Sequence, residues 1–400
     1  MQRYKTSLAA SLAASLTASL TAAILLSSTA SARLSERVLT FPAKSAGRIS
    51  IGPINSTVSK TNPAVGKVTV PEGCEAAYSA EMEFFPWWPL ADKPRSLSFM
   101  SSWPADGIQA FHAWTMPLHS EDLKYLGKQT SLTNINLGYT KIDDAGLKYL
   151  SGLTELRTAQ FQYTAVRDNG IKALAACTKL ERLNLTGCSL SNRCMPTIGT
   201  FTNLIELFIE PGFNQFLVGR DQKIDDRAAP SFANLKKLKR LNLQGTNIGD
   251  ETVAAICGAA PTLTELNLGR TRVTSRSNQA LSSMKHLRAL SLDRTAIDDA
   301  TISQLSGLKE LQELYLGGTN VGEKGIHALT ALPSLKYIIL PKNCTPAALE
   351  ELRHCESLID VYYPGKNGAV AKLRKEFQER DHKRGGSGYF TSKFFVFEAP

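Results

Sequence analysis

One spacing constrains this chain more than anything else in it: the pattern Leu-x-x-Leu-x-Leu returns at a near-constant interval. It stands at Leu180-Leu183-Leu185, Leu238-Leu241-Leu243, Leu263-Leu266-Leu268, Leu287-Leu290-Leu292 and Leu311-Leu314-Leu316. Looser copies start at Ile108, Leu132, Leu156, Leu204, Leu335 and Leu358, and successive starts lie 24, 24, 24, 24, 34, 25, 24, 24, 24 and 23 residues apart. A fixed period of this size repeats one supersecondary unit, which buries its apolar side only against its neighbours.

The columns around each row have a physical reading. Eight residues after the start stands a small hydrogen-bonding group: Thr140, Thr164, Cys188, Thr246, Thr271, Thr295, Thr319 and Asn343. A stacked turn needs such a group to satisfy the backbone leaving the strand. Two residues later an apolar position recurs (Ile142, Val166, Leu190, Ile248, Val273, Ile297, Val321), and twelve from the start a helix-capping or helix-start residue: Ser120, Asp144, Asp168, Asn192, Asp250, Ser275, Asp299 and Glu323. Side-chain oxygens there suit the free N–H groups of the helix that follows, or its dipole. Apolar residues three apart, as in Leu147-Leu150-Leu153 and Ile326-Leu329-Leu332, then line that helix. Each period reads as strand, turn and helix.

This pattern resembles the leucine-rich-repeat family, especially bacterial repeats of about 24 residues and the similar cysteine-containing repeats found beside F-box domains. The resemblance covers residues 108–363. It implies an α/β fold: a right-handed horseshoe solenoid with a parallel concave sheet, outer helices and a small β-rich N-terminal cap. It also implies binding of a macromolecule rather than catalysis. The expected organisation is a signal peptide at 1–32, the cap region at 33–107, the solenoid at 108–365, and a basic helix with a β-prone tail at 366–400.

The start supports export. Arg3 and Lys5 precede an uncharged stretch with Leu8, Leu12, Leu16, Leu20, Ile24, Leu25 and Leu26, closed by the small-x-small triplet Ala30-Ser31-Ala32. That is a secretory signal, cleaved after Ala32, and it places the mature chain outside the cytoplasm, secreted or in the cell envelope, with no integral span. Short alternating runs in 33–107 (RVLTFP, GRISIG, GKVTVP, RSLSFM) read as strands that close the solenoid's edge. If they form a separate module instead, PWWP at 86–89 is an exposed apolar site rather than a buried staple. Asn55-Ser56-Thr57 matches a glycosylation sequon.

Charge and motifs exclude several classes. The formal net charge is +10, and residues 366–400 hold eight Lys/Arg against four acids, so the excess sits at the C-terminus rather than as a stripe for nucleic acid. Seven scattered cysteines form no CxxC, and the six histidines form no HExxH. Cys177 and Cys355 fall in the apolar column of Leu153, Phe201, Leu235, Met284, Leu308 and Leu332, which makes them core thiols, while Cys344 and Cys355 are candidates for a disulfide. The acidic pairs Asp143-Asp144, Asp225-Asp226 and Asp298-Asp299 recur in phase with helix starts and read as caps, not calcium ligands. No enzyme, metal or cofactor is expected.

The expected partner is a protein, bound by a monomer on the concave face. Four residues after each start the column runs His112, Asn136, Gln160, Asn184, Phe208, Asn242, Asn267, Ser291, Tyr315, Ile339 and Tyr362. Tyr315, Tyr337 and Tyr362 either anchor a partner or pack beneath the C-terminal segment. Phe208 lies beside the long interval, whose insertion carries Phe213, Phe216 and Arg220, either as a binding finger or as a loop folded on itself. Charges of both signs stand near this face (Arg182, Glu206, Glu210, Arg240, Glu265, Arg270, Asp293 and Arg294), which suits a protein better than a polyanion. The alternatives are a substrate-recognition subunit of a ubiquitin-ligase-type complex and a purely structural envelope protein.

Overall fold

The computed structural model describes residues 34–43, 47–54, 56, 58–80, 96–114, 116–212, 223–342, 344–363 and 368–386. The signal segment, the PWWP motif, Asn55, Thr57, Phe213, Phe216, Arg220, Asn343 and the tail beyond 386 lie outside the described residues. The chain divides into two compact units, Met1–Val166 and Arg167–Pro400.

In the first unit, strands β1 (Arg37–Thr40) and β4 (Lys67–Val70) pair antiparallel as a ribbon. A second sheet has the order β3-β2-β5-β6-β7-β8, formed by β2 (Arg48–Pro53), β3 (Lys60–Pro63), β5 (Cys74–Ser79), β6 (Ala110–His112), β7 (Asn134–Asn136) and β8 (Thr158–Gln160). Pairing is antiparallel among β2, β3 and β5 and parallel from β5 onward. The β-rich cap thus continues the repeat sheet and covers the edge of β6, which otherwise presents a row of unpaired N–H and C=O groups. Phe41, Tyr78, Phe99 and Trp103 pack ring to ring beneath it, and the Trp103 indole donates to Thr40 O at 3.0 Å.

In the second unit eight strands run parallel in sequence order: β9 (Arg182–Asn184), β10 (Glu206–Phe208), β11 (Arg240–Asn242), β12 (Glu265–Asn267), β13 (Ala289–Ser291), β14 (Glu313–Tyr315), β15 (Tyr337–Ile339) and β16 (Asp360–Tyr362). The fourth residue of every row pairs with its counterpart: Leu183↔Leu207↔Leu241↔Leu266↔Leu290↔Leu314↔Ile338↔Val361. Those side chains are buried, so register is held by the cost of turning a row of leucines to water. Short helices return the chain on the other side. Helix Gly368–Lys383 closes the far edge, sinking Val370, Leu373 and Phe377, while Arg374 Nη2 donates to Asp360 Oδ2 at 2.9 Å. Among the described residues no helix is long and apolar enough to cross a membrane.

The threonine column does what its position demands. Thr140, Thr164, Thr246, Thr271, Thr295 and Thr319 each donate their hydroxyl to the carbonyl three residues back, at 2.6–2.7 Å. Cys188 takes the same buried place. Of the two readings of the acidic column, helix start holds rather than helix cap: Asp144, Asp168, Asp250, Asp299 and Glu323 each begin their helix. Helices are capped one residue earlier, by Asp143, Asp225, Thr274 and Asp298. Hydrogen bonds, chiefly from Ser120 and Ser275, hold the Asp143 and Asp298 carboxyls below the usual carboxylate range. The acids that follow these caps reach forward instead. Asp226 Oδ1 accepts from Gly249 N at 2.7 Å and Thr252 N at 3.1 Å, and Asp299 Oδ1 from Gly322 N at 2.6 Å and Gly325 N at 3.0 Å. Gly249 and Gly322 are N-caps with no side chain of their own, so the preceding row supplies the carboxylate.

In seven of the rows the backbone turns left-handed seven residues after the start: Tyr139, Tyr163, Gly187, Gly245, Arg270, Arg294 and Gly318 all have φ between 52° and 73°. Glycine adopts this freely, whereas each tyrosine or arginine there costs on the order of 1 kcal/mol.

Candidate functional site

On each short strand the central residue faces the helices, and its two neighbours face away from them. In the second unit this open face carries Arg182, Glu206, Arg240 and Glu265 as direct cross-strand neighbours. Glu206 Oε1 lies 3.5 Å from Arg182 Nε and 3.2 Å from Arg240 Nη1, and Arg240 Nε lies 2.8 Å from Glu265 Oε2. Each half-exposed pair contributes under about 1 kcal/mol, but the alternation fixes the Arg240 guanidinium between two carboxylates, with Arg182 on the outer side of Glu206. The Arg240 guanidinium also sits 5.5 Å from the ring centroid of half-buried Phe208. Beside it Glu210 accepts from Thr186 Oγ1 at 3.3 Å.

The tyrosines divide. Tyr315 and Tyr337 do meet, with ring centroids 5.6 Å apart. Tyr315 has 0% exposure and donates its hydroxyl to Glu313 Oε2 at 2.7 Å, so it lies under the surface instead of standing on it as an anchor. Tyr337 and Tyr362 are half-buried, and burial with Asp360 nearby pushes the Tyr337 phenol up to about 12. The asparagines of the face serve the backbone: Asn184, Asn242 and Asn267 each accept from the N–H two residues on at 3.0 Å, closing the turn after the strand.

The first unit holds a feature that strand alternation does not reveal. Trp114 packs edge-on to Tyr139 with centroids 5.4 Å apart, and Tyr139 stacks on Tyr163 at 4.6 Å. Trp114 is 45% exposed and the tyrosines half-buried, which makes a ladder along the strand ends. The two tyrosines occupy the left-handed column, where Gly187, Gly245 and Gly318 mark the backbone requirement; that shared column was the signal in the sequence. The face beside the ladder presents Ala110, His112, Asn134, Asn136, Thr158, Gln160 and Gln162, and burial depresses the His112 imidazole to about 4.

Little here suits chemistry. Burial raises Cys177 and Cys355 to about 11 and Cys257 and Cys344 to about 12, away from the thiolate a nucleophile needs. Cys344 and Cys355 are both free thiols. Among the described residues no group of three His, Cys, Asp or Glu could hold a metal ion.

Two family models described as leucine-rich repeat match the chain, one over residues 261–321 and the other over 128–151 and 234–257. No curated protein matches it in sequence. Similar solved structures include the internalin InlF of Listeria monocytogenes, at 18% identity and a TM-score of 0.35, covering 62% of this chain and 89% of that one. The Leptospira interrogans leucine-rich-repeat protein LIC12759 aligns at 15% identity and a TM-score of 0.46, covering 69% and 77%. The ectodomain of the Arabidopsis thaliana receptor kinase GASSHO1/SCHENGEN3, in complex with Casparian strip integrity factor 2, aligns at 15% identity and a TM-score of 0.41, covering 64% of this chain and 35% of that one. The family matches fall on rows whose strands pair in register and whose threonines close the turn: the chain carries leucine-rich repeats.

Proposed function

We propose that this protein is a non-enzymatic scaffold that binds a protein partner outside the cytoplasm on the open face of its second unit. Leucine-rich repeats commonly serve as protein-binding scaffolds. The observation that carries the reading is the Arg182-Glu206-Arg240-Glu265 ladder with Phe208 against Arg240. Groups of both signs, fixed in position around a partly covered aromatic ring, match the mixed surface of a folded protein and repel a polyanion at every second rung. Tyr337 and Tyr362 extend the site toward β16, and Phe213, Phe216 and Arg220 belong to the same proposal. Export rests on the apolar leader at residues 1–32.

The test is affinity capture from the source cell's envelope and medium, with the chain from residue 33, its Phe208→Ala/Arg240→Ala variant and a helix-side variant, Lys309→Ala. A protein retained by the parent and by Lys309→Ala but lost with the face variant, at unchanged Tm, supports the site. Equal retention by all three, or retention of nothing, contradicts it.

A further inference from the structure

We propose that the first unit carries a second, independent site, for a neutral oligosaccharide, on the face bounded by Trp114, Tyr139 and Tyr163. Three observations converge on it. The first is the cost of the ladder: Tyr139 and Tyr163 sit at φ 60° and 56° in a column where three other rows use glycine and two use arginine. Strain of that kind persists where the displayed side chain has a use. The second is rigidity, because each ring is held by its neighbour at 5.4 and 4.6 Å and little side-chain freedom remains to be lost on binding.

The third is the chemistry of the face. The outward positions of rows 108, 132 and 156 that are described hold no Asp, Glu, Lys or Arg, and His112 is neutral above about pH 4. A charged ligand therefore gains nothing there, whereas the second unit's face is laddered with charge. Nor do these positions offer a large aliphatic side chain to receive the leucine or methionine knob of a peptide. They offer amides and a hydroxyl: Asn134, Thr158, Gln160 and Gln162. Gln162 packs against Gly138, where an added Cβ would come within 2.5 Å of its amide, and its buried Oε1 has no hydrogen-bond partner among the described residues. A sugar ring matches this pairing, since one face is apolar C–H and its rim is hydroxyls that both donate and accept. The exposed Trp114 would take the ring face and the amide row the hydroxyls.

The test uses the chain from residue 33 and four neutral hexasaccharides (cello-, malto-, chito- and mannohexaose) in calorimetric and tryptophan-fluorescence titrations. Galacturonate hexamer serves as the charged control. The variant is Tyr139→Gly/Tyr163→Gly, which removes the rings at positions whose backbone favours glycine, so it folds with an unchanged or higher Tm. The expected result is binding of at least one neutral hexasaccharide, weakened tenfold or more in the variant, unaffected by Phe208→Ala/Arg240→Ala, and no tighter binding of the galacturonate. Binding of none of the four, or equal binding by the variant, overturns the proposal. If instead the tyrosine variant loses a captured protein, the face is a protein site and the saccharide assignment is wrong. Because the two units are probed by separate variants, failure here leaves the reading of the second unit's face standing.

Discussion

Asp299 caps a helix that is not its own: its carboxylate accepts from the backbone N–H of Gly322, the N-cap of the next row, at 2.6 Å. Its neighbour Asp298 caps the local helix through Ala300 N and Thr301 N. The acidic pair therefore ties two consecutive rows. Asp299→Ala is expected to cost about 1–2 kcal/mol, as for loss of an N-cap. Gly322→Ser, which gives the helix a cap of its own, should recover part of that loss in the Asp299→Ala background while changing little alone. Urea unfolding of the four proteins checks this, and strict additivity would count against the cross-row cap.

The left-handed column makes a prediction of opposite sign. Arg294→Gly removes the strain of a non-glycine residue at φ 52° and gives up only a 3.8 Å ion pair to Asp293, so stability should rise by about 1 kcal/mol. Gly318→Ala should fall by at least as much, because φ is 70° and the new Cβ would meet Arg294 Cγ at 2.9 Å. Thermal denaturation of both variants beside the parent shows whether the two move apart.

His112 is half-buried, and desolvation lowers its pKa to about 4. The unfolded chain takes up this proton near pH 6.5 and the folded one does not, so stability is full above that pH and falls as pH drops toward 4. His112→Asn, which matches Asn136 in the next row, should flatten the stability curve between pH 6.5 and 5. An unchanged slope in the variant would show that the imidazole is not the group responsible.

Thiol reactivity follows from burial. Of the seven free cysteines, Cys74 alone is partly exposed. Ellman's reagent at pH 8 should titrate one thiol quickly in the native protein and all seven in guanidinium. Rapid labelling of Cys177 or Cys355, located by peptide mapping, would contradict their place in the core.

Much of the fold was legible because the repeat obeys packing. A leucine row one register off exposes every apolar side chain, so Leu183 through Val361 could be aligned from spacing alone. The threonine column was legible for the same reason, since a buried carbonyl must find a donor. The acidic pairs were only half legible: their phase marked helix starts, but the reach of Asp226 and Asp299 into the next row depends on a stacking distance that no single period contains. Tyr315 was ambiguous because alternation turns it to the open face and cannot show that Glu313 holds it below the surface. The Trp114-Tyr139-Tyr163 ladder escaped because it lies beyond the strands, in a turn whose left-handed backbone is announced by glycine in other rows.

The most direct test of the central claim is hydrogen–deuterium exchange of the chain from residue 33, free and bound to the partner recovered by capture. Protection on binding is expected at the strand ends and following turns of β9 to β12, around Arg182, Phe208, Arg240 and Glu265, with the helices Asp250–Ala259 and Asp299–Leu305 unchanged. Protection confined to those helices, with the open-face turns exchanging as in the free protein, would contradict the account.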